Sequence, residues 1–257
     1  MKKKTLILIA ALSFAAAASA QEAKTMYVMK NGAVAYQSVV SDIDSIIFYK
    51  PDPCLECTQK GGVYINDVCW ATRNLDTGGV FVENPEDYGA LYQWGRKADG
   101  HESRTSGTTT TLATTDTPGH SDFILTDSSP WDWRNPQNDI LWNSGTEIAP
   151  VKTANDPCPA GWRVPTQTEL ASLGSGEWQT TPAGRIFSNG SNTLFLPAAG
   201  YHSANSSALY NVGSNGAYWS STVNSTNAYN FYFSSSSVSA TDNDDRGLGF
   251  SVRCVAE

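Results

Sequence analysis

The chain has 257 residues and a formal net charge of −8 at pH 7, with 17 Lys and Arg against 25 Asp and Glu. This length predicts one sizeable domain with a small appendage, and so acidic a chain argues against nucleic acid as a partner. Aromatic residues form 11% of the chain and charged residues 16%, a balance typical of a packed mixed or β-rich domain rather than a disordered one.

Residues 1–20 are typical of a secretory signal peptide. A basic start, Lys2 to Lys4, precedes an apolar run at 6–18 and a small-residue cleavage site that ends at Ala20. The apolar run is too short for a permanent membrane span. We therefore predict an exported mature chain that begins at Gln21. It has no direct membrane span and is secreted, periplasmic or associated with the surface of a Gram-negative cell.

Residues 21–52 are predicted to form a small β module. Two apolar runs flank Asn31 and Gly32, and Asn-Gly between such runs is a strong signal for a β-hairpin. A third apolar run lies at 43–49, and Pro51 and Pro53 mark the end of the module. The segment resembles the N-terminal β module that precedes many exported domains of Bacteroidetes-type bacteria. A linker at 53–61 and a main domain at 62–257 are expected to follow.

Five cysteines occur in the sequence, and in an exported protein disulfide bonds are the expected use of them. Cys54 and Cys57 have the spacing of a redox motif, but no thioredoxin-like pattern follows them and no second cysteine pair or histidine cluster completes a zinc site. Cys158 and Cys254 are the favoured pair, because each lies beside predicted strand or loop anchors. The pairing of Cys54, Cys57 and Cys69 stays open, and one cysteine is left over.

Residues 99–130 are rich in Thr, Ser and Gly and are interpreted as a low-complexity insertion into the main domain. His101 and His120 lie in it without carboxylates in helical or strand register, so we interpret them as solvated loop residues and predict no metal site. No Ser/His/Asp set and no carboxylate dyad stands out elsewhere, so no catalytic residue and no cofactor is predicted.

Residues 201–253 have the composition of a binding surface. Tyr, Ser, Asn, Gly and Asp dominate the segment, while Lys, Glu, Gln and Met are absent from it. Antibody loops share this bias, since Tyr offers a large contact area at low entropic cost and Ser, Asn and Gly adapt their hydrogen bonds. The alternative is a polar loop region without a ligand. The acidic run 242–245 raises the further alternative of a calcium-dependent lectin, but consecutive side chains cannot all converge on one ion.

Several short motifs, taken in order, carry a resemblance to a known family. They are YGALYQW at 88–94, CPAGWRVPTQTEL at 158–170, LPAAGY at 196–201, YWSST at 218–222 and GFSVRCV at 249–255. In this order they resemble the Fibrobacter major paralogous (FISUMP) domain. The resemblance implies a C-type-lectin-like α+β fold, with two helices, small twisted antiparallel sheets and long irregular loops. A short helix at 166–173 between Pro165 and Gly174 agrees with it, and Trp70, Trp94, Trp162 and Trp219 are expected in the core.

Residues 199–257 also resemble the variable region of proteins diversified by retroelements. In that system adenines of a template copy are mutated, so that AAC codons give Ser, Asp, Tyr, His, Gly, Thr, Ala or Phe but never Lys, Glu, Gln, Met or Trp. The resemblance implies a hypervariable surface that binds a macromolecular target, protein or glycan, on another cell, phage or host. The residues of the reachable types that we expect at this surface are His202, Ser203, Tyr210, Ala217, Asn230, Tyr232, Ser234, Asp242, Asp244 and Asp245.

Two other functions are considered as alternatives to a hypervariable binding surface. A non-variable structural or adhesin subunit of the cell surface would share the scaffold without the diversification. The formylglycine-generating enzymes have a fold related to the one implied, but they depend on a paired-cysteine copper site that this chain does not reproduce. Cys158 and Cys254 resemble that family's structural pair instead.

Overall fold

The computed structural model describes residues 24–30, 32–43, 45–46 and 52–257. The chain divides into two compact units, unit 1 at Met1–Pro51 and unit 2 at Asp52–Glu257. The predicted signal peptide lies outside the described residues, as does most of the third apolar run at 43–49. Among the residues that the structure describes, no helix is both long and apolar enough to cross a membrane.

Unit 1 contains a two-stranded antiparallel hairpin. Strand β1 (Thr25–Lys30) pairs with β2 (Ala33–Val39), and a short 3-10 helix at Val40–Asp42 follows. Gly32 has a φ of +82°, a value that only glycine adopts without strain. The turn predicted from the Asn-Gly pair therefore falls between these two strands, although Asn31 itself lies outside the described residues.

Unit 2 contains two short α-helices and many short strands. Its first part comprises α1 (Pro53–Gln59), β3 (Gly62–Ile65), β4 (Val68–Ala71), β5 (Leu75–Asp76), β6 (Val80–Phe81), β7 (Tyr92–Gln93), β8 (Thr108–Thr109), β9 (Phe123–Ile124) and β10 (Trp162–Arg163). Its second part comprises α2 (Gln167–Ala171), β11 (Glu177–Thr180), β12 (Ala183–Asn189), β13 (Asn192–Pro197), β14 (Tyr201–His202), β15 (Leu209–Tyr210), β16 (Asn215–Asn224), β17 (Asn227–Ser234), β18 (Val238–Asp245), β19 (Gly249–Phe250) and β20 (Val255–Ala256).

The strands of unit 2 form several small sheets rather than one large one. Two have four strands, in the orders β10-β20-β4-β3 and β15-β14-β19-β7, and two have three, β11-β12-β13 and β16-β17-β18. The pairs β5-β6 and β8-β9 stand apart. Strands from distant parts of the sequence meet in both four-stranded sheets, since Val255 pairs with Trp70 and Phe250 pairs with Tyr92.

The predicted C-type-lectin-like α+β fold is wrong. The regular secondary structure of the described part of the chain is mostly β-strand in small sheets, and its two α-helices have only seven and five residues. The local sequence explains why α2 is so short. Thr166 caps its start in a reciprocal capping box with Glu169, and Gly174 follows its end with a φ of +71°. These start and stop signals leave little more than one helical turn between them.

Residues 53–61, predicted as a linker, belong to unit 2. The Asp52 side chain accepts a hydrogen bond from the backbone N–H of Cys54 and so caps α1, with Pro53 in the first turn. Cys57 on this helix forms a disulfide with Cys69 on β4. The cap and the disulfide together fix the segment against the first strands of the unit.

A second disulfide joins Cys158 and Cys254, the pair that the sequence favoured. The cysteine left over is Cys54. Two disulfides are typical of proteins in oxidising, exported environments.

Two hydrophobic clusters form the core of unit 2. One is built around Trp94, Trp133, Trp142, Trp219 and Phe250, and the other around Trp70, Tyr218, Phe187, Phe231 and Phe233. The four tryptophans predicted as core anchors, Trp70, Trp94, Trp162 and Trp219, are all buried. The β16-β17-β18 sheet separates the clusters, since its alternate side chains enter one or the other.

Candidate functional site

The candidate site is a surface on which tyrosine and aspartate side chains meet. Its members are Tyr201 on β14, Tyr210 on β15, Tyr232 on β17, and Asp242 and Asp244 on β18; we call it the tyrosine–aspartate surface. Tyr201 and Tyr210 are paired across adjacent strands, and their rings stack with centroids 5.6 Å apart. Tyr201 and Tyr232 both lie close enough to Asp244 for its charge to affect them.

Strand register decides which acidic side chains reach this surface. Asp242 pairs with Asn230 on β17, and Asp244 pairs with Ala228. Directly paired residues of antiparallel strands share a face, and side chains alternate along a strand. Asp242 and Asp244 therefore lie on the same face as Asn230 and Tyr232. Asp245 pairs with Asn227 and points to the opposite face.

A chain of aromatic rings connects the surface with the core. The ring of Tyr201 lies edge-on to that of Phe250 with centroids 6.1 Å apart, and Phe250 stacks on Trp219 at 4.2 Å. Trp219 is fully buried, and its indole N–H donates to the backbone oxygen of Tyr92 at 2.8 Å. Rigid support of this kind holds surface side chains in a defined geometry.

The carboxylates of the surface lack a countercharge. Neither Asp242 nor Asp244 forms a salt bridge within the described part of the chain. Burial, and secondarily the neighbouring charge of Asp242, raises the pKa of Asp244 to about 6 despite a hydrogen bond from the Asn230 amide. Burial also raises the pKa of Tyr232, with a further contribution from Asp242. An electronegative site with aromatic walls is the result.

Asn230 lies beneath this surface with one polar atom unsatisfied. Its side chain is fully buried, and Nδ2 donates to Oδ2 of Asp244 at 3.0 Å. Its Oδ1 has no hydrogen-bond partner. A buried acceptor without a partner is destabilising, and in native proteins such atoms are uncommon and call for an explanation.

The structure brings together four of the ten residues predicted from the sequence, namely Tyr210, Tyr232, Asp242 and Asp244. Tyr210 is 46% exposed and the other three are partly buried. Ser234 lies one position along the same face of β17, but its hydroxyl contacts that of Ser237 at 2.9 Å in the turn after the strand. Asp245 is on the opposite face.

The remaining four predicted residues, His202, Ser203, Ala217 and Asn230, are buried. The His202 ring is only 3% exposed and stacks on Phe123 with centroids 3.8 Å apart. Ser203 donates a hydrogen bond to Asn205 within its own loop. Ala217 belongs to the core around Trp219. The structure does not place these side chains at the exposed positions expected for them, because the strand pleat turns His202, Ala217 and Asn230 inward and Ser203 is buried within its loop.

Tyr201 belongs to the surface although the sequence prediction omitted it. The sequence did contain a signal, because one tyrosine lies on each side of the polar loop 203–208: Tyr201 before it and Tyr210 after it. Two strands joined across a polar loop were needed to bring these rings together, and strands of two residues leave too little alternation to be recognised.

His101 is not the solvated loop residue that the sequence analysis expected. It is fully buried with Glu102, and both lie beside Asp99. The backbone N–H of Gln93 donates to His101 Nε2 at 3.0 Å, so the ring proton is on Nδ1, which lies 2.7 Å from Asp99 Oδ1 and donates to it. The short spacing of Asp99, His101 and Glu102 in the sequence was the missed signal.

The ligand atoms of this cluster are already engaged by the protein. Glu102 accepts backbone N–H bonds from Gly78 and Gly100, each at 2.9 Å, and Asp99 binds the Arg96 guanidinium. Burial would raise the pKa of Asp99, but the hydrogen bond from His101 and the charge and hydrogen bonds of Arg96 outweigh burial and lower it. Although the three side chains lie close enough to hold a metal ion, their contacts describe a buried polar network that fixes residues 96–102.

A shallow groove elsewhere on unit 2 is lined by residues that include Pro85, Pro182, Ile186 and Phe195. It shares no residue with the tyrosine–aspartate surface, and Glu86 is the one charged residue among the described residues that line it. The tyrosine–aspartate surface is therefore the stronger candidate site.

Comparison with known proteins gives one match. A family model described as "Domain of unknown function (DUF8237)" matches residues 178–255. The matched segment includes the whole tyrosine–aspartate surface and the strands that support it. No curated protein and no solved structure matches the chain.

Proposed function

We propose that this is an exported, non-enzymatic binding protein that presents the tyrosine–aspartate surface to a macromolecular target. The observation that carries the proposal is the contrast between the surface and its support. Tyr210 is exposed and Asp242 and Asp244 lack a countercharge, yet the rings behind them are packed into the core. Tyrosines on a rigid support lose little entropy when they bind, which favours recognition.

The strands behind this surface have support that its own side chains do not provide. Strands β16, β17 and β18 are held by backbone hydrogen bonds and by the buried rings of Trp219, Phe231 and Phe233. Side chains at partly exposed positions on such strands can be substituted without a change in the packing of the core. The arrangement suits a protein whose partner differs among variants.

Diversification by a retroelement is part of the same proposal and is supported by the composition of residues 201–253. We expect the coding segment for these residues to differ among cells at AAC-derived positions, beside a near-identical template repeat and a reverse-transcriptase gene. Sequencing this locus from many cells of one population measures the variation. An invariant segment with no template repeat would leave a static adhesin or structural subunit as the function.

The binding role predicts that truncation of surface tyrosines weakens a ligand without unfolding the protein. Mature protein is screened against arrays of purified glycans and surface proteins, and each ligand is measured again with Tyr210→Ala and Tyr232→Ala. Loss of a central tyrosine anchor costs about 2 kcal/mol of binding free energy, roughly a 30-fold rise in Kd. Calorimetry gives the affinities, and thermal melts show whether each variant is folded.

The matched control is Tyr229→Ala. Tyr229 is partly buried on the same strand as Tyr232 but pairs with Asn243 and faces the other way. Its truncation should leave the Kd within about twofold. The proposal fails if no ligand is bound, or if every ligand retains its affinity for both surface variants.

A further inference from the structure

The tyrosine–aspartate surface presents acceptors without matching donors. The fully buried Asn230 donates from Nδ2 to Asp244, while its Oδ1 has no hydrogen-bond partner. Asp242 lies directly opposite Asn230 on the neighbouring strand. The carboxylates of Asp242 and Asp244 and the amide oxygen of Asn230 are all hydrogen-bond acceptors. A ligand that binds at this place must therefore be a hydrogen-bond donor.

No basic side chain of the described chain supplies that donor. Arg246 is nearest to the cluster in sequence, but its guanidinium donates to Asp139 and to the backbone oxygens of Asn227 and Ser225. It also lies over the ring of Trp94 at 4.7 Å. The positive charge that two uncompensated carboxylates favour must therefore come from outside this part of the chain.

The tyrosine rings of the surface favour an organic cation over a metal ion. Calcium takes six to eight oxygen ligands, whereas strand alternation offers only Asp242 and Asp244 from β18. An ammonium or guanidinium group is stabilised both by carboxylates and by the faces of tyrosine rings. Tyr201, Tyr210 and Tyr232 supply such rings around the acids.

Resting on the function proposed above, we propose that the target is a protein that inserts a lysine or arginine side chain into this surface. The cationic head binds Asp242 and Asp244, and the apolar stem packs on the tyrosine rings. Long basic side chains carry both a charged head and an apolar stem, which matches the mixture of carboxylates and rings.

The pH dependence of such binding is opposite to that of folding. The groups near Asp244 are Asp242 on its own strand, Asn230 and Tyr232 on β17, and Tyr201 on β14, and the charge of Asp245 acts on it from the opposite face. The pKa of Asp244, about 6, lies above the ordinary 3.8. The contribution of protonated Asp244 to folding stability is therefore complete below pH 3.8 and is lost as pH rises through 6. A cationic ligand needs the ionised carboxylate, so affinity should rise over the same interval.

The test uses the mature chain and two short peptides, one of alternating glycine and lysine and the other identical but with every lysine acetylated. We expect the lysine peptide to bind at least about tenfold more tightly at pH 7.5, because acetylation removes the positive charge and the ammonium donors. Asp242→Asn and Asp244→Asn should each raise its Kd by about five- to tenfold. Affinity should fall as pH is lowered to 5, while the melting temperature of Asp244→Asn at pH 7.5 should exceed that of the wild type.

Glu177→Gln is the matched control, since it removes one negative charge from an exposed position on β11. Its Kd should stay within about twofold of the wild type.

Equal binding of the two peptides, or equal losses in Glu177→Gln and Asp244→Asn, would overturn the proposal and indicate only general attraction to an acidic protein. A neutral ligand that depends on Tyr210 and Tyr232 but not on the acids would overturn the cationic target while the binding function stands. If no ligand depends on the tyrosines, the binding function itself fails.

Discussion

Removal of the Cys158–Cys254 disulfide by the double substitution Cys158→Ala and Cys254→Ala is expected to lower the free energy of unfolding by about 4 to 5 kcal/mol. The bond joins positions 96 residues apart, and a cross-link that closes so long a loop removes much of the entropy of the unfolded chain. Both cysteines are also buried, so the substitutions leave a small cavity that adds to the loss. Denaturant unfolding followed by near-ultraviolet circular dichroism measures the difference.

The other disulfide provides the comparison for this result. Cys57 and Cys69 are separated by 12 residues, and the same chain-entropy argument gives about 3 kcal/mol for so short a loop. The variant without Cys158 and Cys254 should therefore be the less stable of the two by about 2 kcal/mol. Equal stability, or the reverse order, would show that loop entropy does not govern the effect.

Trp219→Ala is expected to cost about 3 to 5 kcal/mol of folding free energy. The side chain is fully buried, stacks on Phe250 and donates a hydrogen bond to the backbone of Tyr92. Truncation removes these contacts and leaves a large cavity in the core behind the tyrosine–aspartate surface. Chemical denaturation compares the midpoint of this variant with that of the wild type.

Tyr210→Ala is the surface counterpart of this substitution. Its side chain is 46% exposed and stacks only on Tyr201, so the loss of folding free energy should stay below about 1 kcal/mol. A loss from Tyr210→Ala as large as that from Trp219→Ala would mean that the surface is part of the core. The display interpretation would then be wrong.

Local signals in the sequence predicted the elements that depend on a few neighbouring residues. The turn near Gly32, the start of α2 at Thr166 and its end before Gly174 all follow from caps and backbone preferences. The overall arrangement could not be obtained in this way. Val255 pairs with Trp70 and Phe250 with Tyr92, and pairings between such distant residues leave no local pattern. The resemblance used to fill this gap implied a fold that is wrong.

For the candidate site, composition indicated the residue types but not their orientation. Tyr and Asp are abundant in residues 201–253, and four predicted members do meet at the surface. Irregularities in strand pairing lie between Trp219 and Val223 and between Asn230 and Tyr232. Such shifts change which side chains face inward, and residues 216–221 of β16 are buried at every position, so the burial of Asn230 and Ala217 could not be read from alternation alone.

The Cys158–Cys254 bond has a consequence for what happens when a protease cuts the chain. The enclosed segment contains all of the tyrosine–aspartate surface and its exposed turns, such as 205–207 and 235–237. Exposed turns are the usual sites of proteolytic cleavage. A single cut within this segment leaves two fragments that remain covalently joined and paired in the same sheets. The surface would therefore stay attached to its scaffold after cleavage, and the cut would become visible only on a reducing gel.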